Sequence, residues 1–499
     1  MKAVPGERER VLRNLRRRRI AVVGLGVSNR ALLRFLLARG ARSVAAGDVK
    51  TASALGPVAR ELASMPVDLR LGPGYLDILK DAELVFLTPG MRKDLPEIAA
   101  ARERGAEISS EMGLLLSLTR ARTVGVTGSA GKTTTTSLVR DMLVRSGLRV
   151  VVGGNIGTPL IEQALDFGPE TTMVLEMSSF QLQLVDRSPH IAAVLNIAPN
   201  HLDVHRDFDE YVAAKKVIYR YQRPGDWAVF SADDPLTLAM AREKGTDVAL
   251  FGRSEPAEVP GVGEVPYRAF IDGDRLAVRG PGGRGPETLC LVRDVRLRGE
   301  HNLLNILAAA LLTLLAGGRL DAAGHVAVTF EGVEHRLEPV VTVGGVTLVN
   351  DSIATSPDRT AAALASFPGP LHLIAGGYDK KLPFDTLAES VVGSGKVAKV
   401  VLLGQTAGKI RRALEVAAGG AEERLPAIVE TAGLEEAVRE SLEDARPGTT
   451  VLFSPACASF DMFTNFEERG RAFKEIARRL AGKEAGTRAG AGPTRRPGS

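Results

Sequence analysis

The sequence predicts a three-domain α/β protein: a Rossmann-like N-terminal domain, a central P-loop ATPase-like α/β domain and a C-terminal Rossmann-like α/β domain. Three observations predict it. At 499 residues the chain is too long for one core and suits about three domains. Two apolar strands, at residues 20–24 and 123–126, each run into a glycine turn and then a helical pattern. Beyond residue 332 strands and helices alternate again, the pattern of a parallel sheet with helical crossovers. The boundaries read as 1–110, 111–332 and 333–482, and residues 483–499, without apolar periodicity, read as a disordered tail.

Composition excludes several classes. Apolar residues make up 44% and charged residues 25%, ordinary values that argue against disorder, collagen or a disulfide scaffold. Only Cys290 and Cys457 are present, and both read as buried or incidental thiols. No run of about 18 uncharged apolar residues, the length of a membrane span, exists, and the start, ending in Arg16 to Arg19, lacks a signal-peptide core. The expectation is a cytoplasmic protein with no membrane partner. The net charge of +5 sits at the ends: residues 1–19 carry +6 and residues 483–499 carry +3, which leaves the body at −4. An acidic body lacks the patch that a phosphate backbone needs, so no nucleic-acid partner is expected.

Taken in order, residues 20–24 form a strand closed by Gly24-Leu25-Gly26-Val27-Ser28-Asn29, a helix covers 31–39, and a second strand ends at Asp48. This opening is of dinucleotide type, but Asn29 stands where the third glycine of the fingerprint belongs. What survives is a tight turn whose amides, at a helix N-terminus, suit an anionic diphosphate. A strand at 84–87 runs into Thr88-Pro89-Gly90. In the central domain, strands at 123–126, 173–175 and 192–196 alternate with helices, and 302–315 reads as a buried helix. Residues 256–286, rich in Gly and Pro, read as a loop or hairpin excursion. In the last domain, strands are expected at 340–350, 371–375, 399–403 and 450–453.

The strongest chemical signal is Thr127-Gly128-Ser129-Ala130-Gly131-Lys132-Thr133-Thr134, between a strand and a helix that begins near Thr133. Backbone amides there cradle phosphates, Lys132 reaches β/γ oxygens and the Thr133 hydroxyl suits Mg²⁺. It is shorter than a full Walker A loop, because two residues separate Gly128 from Gly131. Glu176 closes the strand at 173–175, where a carboxylate can hold a metal beside those phosphates or simply cap a helix. Asn200-His201-Leu202-Asp203, with His205, follows the next strand, which makes His201 a candidate ligand. Lys215 lies on a helix that starts around Phe208. It is a solvated surface lysine by composition, or, if burial lowers its pKa, an amine able to take up CO₂ as a carbamate. Asn302 and Asn305 share a helix face near its N-terminus and suit a nucleobase or metal-bound groups. Arg336 suits a triphosphate and Asp351, at a strand end, suits ribose hydroxyls.

The order of these motifs resembles the Mur ligases over residues 20 to 475. It is carried by Gly-x-x-Gly-Lys132-Thr-Thr, Gly154-Asn155-Ile156-Gly157, Glu176-x-Ser-Ser-Phe-Gln-Leu, His201-Leu-Asp, Ala-Lys215, His301-Asn302, His335-Arg336, Asn350-Asp351-Ser352, Gly-Gly-Tyr-Asp-Lys380 and Ser-Pro-Ala-Cys-Ala-Ser459. Within that family the segment around Glu176 and the stretch Ser459-Phe-Asp-Met-Phe-x-Asn-Phe466-Glu-Glu-Arg-Gly look like the D-glutamate-adding branch. The resemblance implies an ATP- and Mg²⁺-dependent amide-bond ligase acting on UDP-N-acetylmuramoyl-L-alanine through an acyl phosphate. It implies ATP contacts at Gly128, Ser129, Ala130, Gly131, Lys132, Thr133, Thr134, Asn302, Asn305, Arg336 and Asp351. Metal contacts would come from Thr133, Glu176, His201 and a carbamylated Lys215, and catalytic roles fall to Lys132, Glu176, His201, Lys215 and Lys380. Val27, Ser28, Asp48, Gly90 and Asn155 would hold the UDP-sugar, and Thr355, Lys380, Ser459 and Phe466 the glutamate. A monomer is expected.

This sequence departs from the family pattern in places. Ala130 replaces a usual Asn, Asn200 a usual Asp, and Ile353 a lysine that often follows Asp-Ser, while Val49-Lys50 alters the expected uridine contacts. The rivals are a related Mur or folylpolyglutamate-type ligase with another acceptor, a non-catalytic nucleotide-dependent regulator, and a dehydrogenase. No Asp-Asn-Pro-Arg motif of the diaminopimelate type is present. A regulator predicts loss of Lys132, Glu176 or Lys380, and all three are there.

Overall fold

The structure is a computed structural model and describes residues 6–199, 205–256, 259–282, 285–297, 299–380 and 382–489. It divides into two compact units, with the boundary between Phe330 and Glu331. The first unit holds two sheets, so the N-terminal and central domains of the sequence reading pack as one body.

The smaller sheet has five parallel strands in the order Asp68–Leu71, Ser43–Asp48, Arg19–Val23, Leu84–Leu87, Glu107–Ser109. Arg19–Val23 is the strand at which the order reverses, the place where open α/β sheets bind ligands beyond the strand carboxyl ends. Gly24 and Thr88 follow, and Asp48 closes, the three central strands, so the three lie at the same end of the sheet. A side chain at Gly24 would strike Thr88 Cγ2 at 2.4 Å, and its φ is +81°, so only glycine fits.

The larger sheet has nine strands, in the order Glu287–Leu291, Arg275–Arg279, Tyr267–Asp272, Val248–Gly252, Trp227–Ser231, Ile191–Val194, Arg122–Thr127, Thr171–Glu176, Arg149–Gly154. The part from Tyr267–Asp272 onward is parallel, and the first three strands named are antiparallel. Residues 256–286 do hold a hairpin, Tyr267–Asp272 with Arg275–Arg279, but it extends this sheet rather than leaving it, because Tyr267–Asp272 pairs with Val248–Gly252. The strand expected at 192–196 ends at Val194, which leaves Asn196 in the following loop. Thr171–Glu176 is buried along its whole length. Burial of Val174 and Leu175 contributes about 1.5–3 kcal/mol per side chain. Glu176 thus stands at the end of a strand that cannot shift without losing core. Helix Glu300–Leu315 packs against helix Lys132–Arg145 and brings Asn305 to the phosphate-loop turn.

The second unit is one six-stranded sheet in the order Glu338–Val343, Val346–Asn350, Thr450–Phe453, Leu371–Gly376, Val397–Leu403, Ala427–Thr431. All neighbours are parallel except the first pair. The single strand expected at 340–350 is a hairpin, turned at Gly344-Gly345 with φ of +57° and +81°. The final helix, Phe466–Ala489, runs past residue 482, into the stretch read as a tail; residues 490–499 lie outside the described residues.

Candidate functional site

The carboxyl ends of three adjacent strands of the nine-stranded sheet build the first site. Arg122–Thr127 leads into Gly128 to Gly131, Thr171–Glu176 delivers Glu176, and Ile191–Val194 leads to Asn196. Gly131, at φ +81°, caps helix Lys132–Arg145, and a Cβ there would sit 2.3 Å from Asn305 Oδ1. Asn305 accepts a hydrogen bond from Thr135 Oγ1 (3.4 Å) and donates to Asn302 Oδ1 (3.1 Å). The two amides expected at the nucleotide therefore line the helix start beside the loop. Lys132 Nζ donates to the carbonyls of Gly128 (2.8 Å) and Ser129 (3.2 Å), and Thr133 is buried beneath it.

Glu176 is 1% exposed. Its Oε1 accepts from Asn155 Nδ2 at 2.7 Å, while its Oε2 is buried without a partner. An orphaned carboxylate oxygen is costly unless something fills its coordination, and a divalent cation does so. Among the described residues no three His, Cys, Asp or Glu gather into a metal-binding group.

Lys215 is 1% exposed, on helix Phe208–Arg220. Its Nζ donates to Gly128 O at 2.9 Å and lies 4.7 Å from the centre of the Tyr211 ring, one helical turn earlier. Burial, reinforced by the Lys132 charge, pulls its pKa down to about 6. The amine is thus mostly neutral at pH 7.5. The solvated-surface reading of Lys215 is set aside by this burial. His201, with Asn200 and Asp203, lies outside the described residues.

At the reversal point of the five-stranded sheet, Asp48 is buried and accepts from the Leu25 amide (2.7 Å) and the Lys50 amide (2.9 Å). Asn29 Nδ2 donates to the Val23 and Gly24 carbonyls at 3.0 and 2.8 Å. The residue in place of the third glycine is thus a tie that closes the turn. Val27 is exposed at the start of helix Val27–Ala38, with Ser28 beside it, and Gly90 follows the strand Leu84–Leu87.

In the second unit, Asp351, Gly377 and Ser454 follow three adjacent strands. Asp351 accepts from Ser454 Oγ (2.7 Å) and the Leu337 amide (3.2 Å), and burial raises its pKa to about 6 despite these bonds. Arg336 and Arg359 lie close enough to act against that rise. His335, at φ +64°, is buried between Asn350 and Gly470, its ring edge-on to Phe466. Ser459 is buried, Thr355 half-buried and Lys380 exposed. An antiparallel bridge between Tyr378 and Ala458 ties the Lys380 loop to the Ser459 loop.

Three family models match the chain: Mur ligase MurD-like, N-terminal domain, over residues 18–110; Mur ligase middle domain, over 126–313; and Mur ligase, glutamate ligase domain, over 335–457. The UDP-N-acetylmuramoylalanine--D-glutamate ligase of Symbiobacterium thermophilum is 52% identical over 463 residues, 93% of this chain and 98% of that one. The chain belongs to the Mur ligase family. The UDP-N-acetylmuramoylalanine--D-glutamate ligase of Clostridium botulinum strain Okra is 44% identical over 93% of this chain and 97% of that one. Among solved structures, the UDP-N-acetylmuramate-alanine ligase of Thermotoga maritima aligns with a TM-score of 0.50 at 20% identity, over 93% of this chain and 100% of that one, a likeness of fold.

Sequence reasoning missed three residues of this Mur ligase. Asn196 Oδ1 accepts from the Ala130 amide (2.8 Å) and its Nδ2 donates to the Ala130 carbonyl (3.1 Å), a two-point clamp on the phosphate loop. Its place just after an apolar strand was the available signal. Tyr211 bonds Ser129 Oγ through its hydroxyl at 2.8 Å, and its i, i+4 spacing from Lys215 was legible. Arg469, 1% exposed, donates to Ser352 Oγ, Ser352 O and Cys457 O at 3.0, 2.8 and 3.0 Å, joining the Asp351 turn to the Ser459 loop. Nothing local in Glu-Glu-Arg-Gly marks its burial. Ile353, in the family lysine's place, receives Arg359 Nη1 at its carbonyl (3.2 Å).

Proposed function

We propose that this Mur ligase adds D-glutamate to UDP-N-acetylmuramoyl-L-alanine, with ATP converted to ADP and phosphate. The observation that carries the reading is 52% identity across 98% of a relative of that name. Its support in the structure is that Lys132 and Lys215 both donate to the Gly128 carbonyl while Glu176 ends the adjacent strand of the same sheet. A terminal carboxylate oxygen of the alanine attacks the γ-phosphorus and ADP leaves, giving an acyl phosphate. The glutamate amine attacks the acyl carbon, phosphate departs with the bonding pair, and loss of the amine proton leaves the amide. Both steps gather negative charge on transferring oxygens, which cationic groups stabilise.

Lys132 exchanges two neutral carbonyls for phosphate oxygens, a stronger charge-assisted pairing. The amides of Ser129 to Thr134 surround the phosphates, while Asn302 and Asn305, with Arg336 and Asp351, bind the rest of ATP. Thr133 and Glu176 would hold Mg²⁺, which would neutralise charge at those oxygens. The neutral Lys215 amine adds to CO₂ with release of a proton, and the resulting carbamate, with His201, offers oxygen and nitrogen ligands to a second cation. Val27, Ser28, Asp48, Gly90 and Asn155 hold the UDP-sugar. Thr355, Lys380, Ser459 and Phe466 position the glutamate, with Lys380 pairing its carboxylate.

Phosphate release from ATP with UDP-N-acetylmuramoyl-L-alanine tests this, comparing D-glutamate, L-glutamate, L-lysine and no acceptor, with Lys132→Ala as control. Release should require both the UDP-sugar and D-glutamate and vanish in the variant. Release with another acceptor in place of D-glutamate would change the substrate, and none with any acceptor would overturn the reading.

A further inference from the structure

One half-buried cation in the first unit has no role in the scheme above. Lys93 lies in the loop between strand Leu84–Leu87 and helix Pro96–Glu103, three residues beyond Gly90. Its Nζ donates to Gln183 Oε1 at 2.6 Å and to the Pro89 carbonyl at 3.4 Å, both neutral acceptors. The neighbouring carboxylate, Asp94, is taken by Arg92 at 2.6 Å. Gln183 caps the short helix Ser179–Leu182, which a reciprocal Ser178–Gln181 capping box fixes just after Glu176. The ammonium therefore spans from the loop that ends the five-stranded sheet's central strands to the segment that carries Glu176. Burial pulls its pKa below the ordinary lysine value, and Glu210 is the carboxylate that opposes this.

An ammonium partly withdrawn from water, whose hydrogen-bond acceptors are both neutral and whose one opposing carboxylate is Glu210, is under-compensated, whereas an anion between the same two loops would satisfy it. We infer that Lys93 is a substrate-binding residue whose ammonium pairs with an anionic group of the UDP-muramoyl substrate. The inference rests on the proposed function, which supplies the substrate. Two anions of that molecule share the required chemistry, its diphosphate and its terminal carboxylate. Loss of one charge-assisted contact corresponds to about a 10- to 100-fold weaker complex.

Calorimetric titration of the full chain, wild type, Lys93→Met and Lys93→Arg, with UDP, UDP-N-acetylmuramate and UDP-N-acetylmuramoyl-L-alanine tests it. Lys93→Met should weaken the alanyl substrate 10- to 100-fold, with a shallower fall of affinity in salt, while Lys93→Arg keeps the salt slope. Weakening of UDP as well identifies the diphosphate, and weakening confined to the alanyl substrate identifies its carboxylate. Gln183→Ala, which frees the ammonium without removing it, should bind at least as well as wild type and covers a Lys93→Met chain that fails to fold. Unchanged affinity and salt slope in Lys93→Met, or a loss in Gln183→Ala equal to that in Lys93→Met, would overturn the inference and leave the ligase intact. A wild-type chain that binds no UDP-muramoyl compound would instead overturn the proposed function.

Discussion

Replacing Glu111 with Gln should stabilise the protein at pH 8 far more than at pH 5. Glu111 opens helix Glu111–Leu118, is 7% exposed and has Met112, Leu114 and Leu115 as buried neighbours. Burial alone raises its pKa from 4.5 to about 7. Between those values the unfolded chain has lost the proton that the folded chain keeps, so stability falls as pH rises through this window. Above about pH 7 the full cost of an ionised buried carboxylate remains. A shift of that size is worth about 3 kcal/mol, and the helix N-terminus, which favours the anion, returns up to about 1 kcal/mol. Gln has the same shape and no charge, so the variant's advantage should be about 2 kcal/mol larger at pH 8 than at pH 5. Urea unfolding followed by Trp227, the chain's single tryptophan and part of the same unit, reads this directly. An advantage equal at the two pH values would refute the reasoning.

Three further outcomes follow from the geometry. Asn196→Ala releases both ends of the clamp on Ala130 and should raise KM for ATP about tenfold, the worth of one or two hydrogen bonds, with a smaller effect on KM for the UDP-sugar in steady-state kinetics. Gly131→Ala places a methyl 2.3 Å from Asn305 Oδ1 at φ +81°, so ADP affinity measured by calorimetry should fall at least tenfold, roughly the effect of 1–3 kcal/mol of strain. Arg469→Leu leaves the carbonyls of Ser352 and Cys457 without their donor and should destabilise the second unit by about 3 kcal/mol, read as a lower thermal midpoint.

The sequence showed most of the strands that build the sites because their apolar runs end in glycine, acid or amide residues at ligand-facing edges. The strand ending at Asp48, the turn at Gly128 to Gly131 and Glu176 were all legible for that reason. The hairpins were less so. The pair Gly344-Gly345 divides an unbroken β-like run, and the pairing of Tyr267–Asp272 with Val248–Gly252 is a long-range choice with no local marker. Side-chain environment was the least legible layer. Lys215 and Lys216 are adjacent and chemically alike, yet the first is 1% exposed over the Tyr211 ring and the second pairs with Glu243 at the surface. Only packing separates them, as it separates buried Arg469 from exposed Arg471 two residues later.

The acyl phosphate is the centre of the account, and oxygen tracing tests it most directly. UDP-N-acetylmuramoyl-L-alanine labelled with ¹⁸O in its terminal carboxylate is incubated with ATP, D-glutamate and the enzyme, and the released phosphate is weighed by mass spectrometry. One ¹⁸O should appear in each phosphate, with the other retained in the amide carbonyl. Unlabelled phosphate released alongside the amide product would contradict the mechanism.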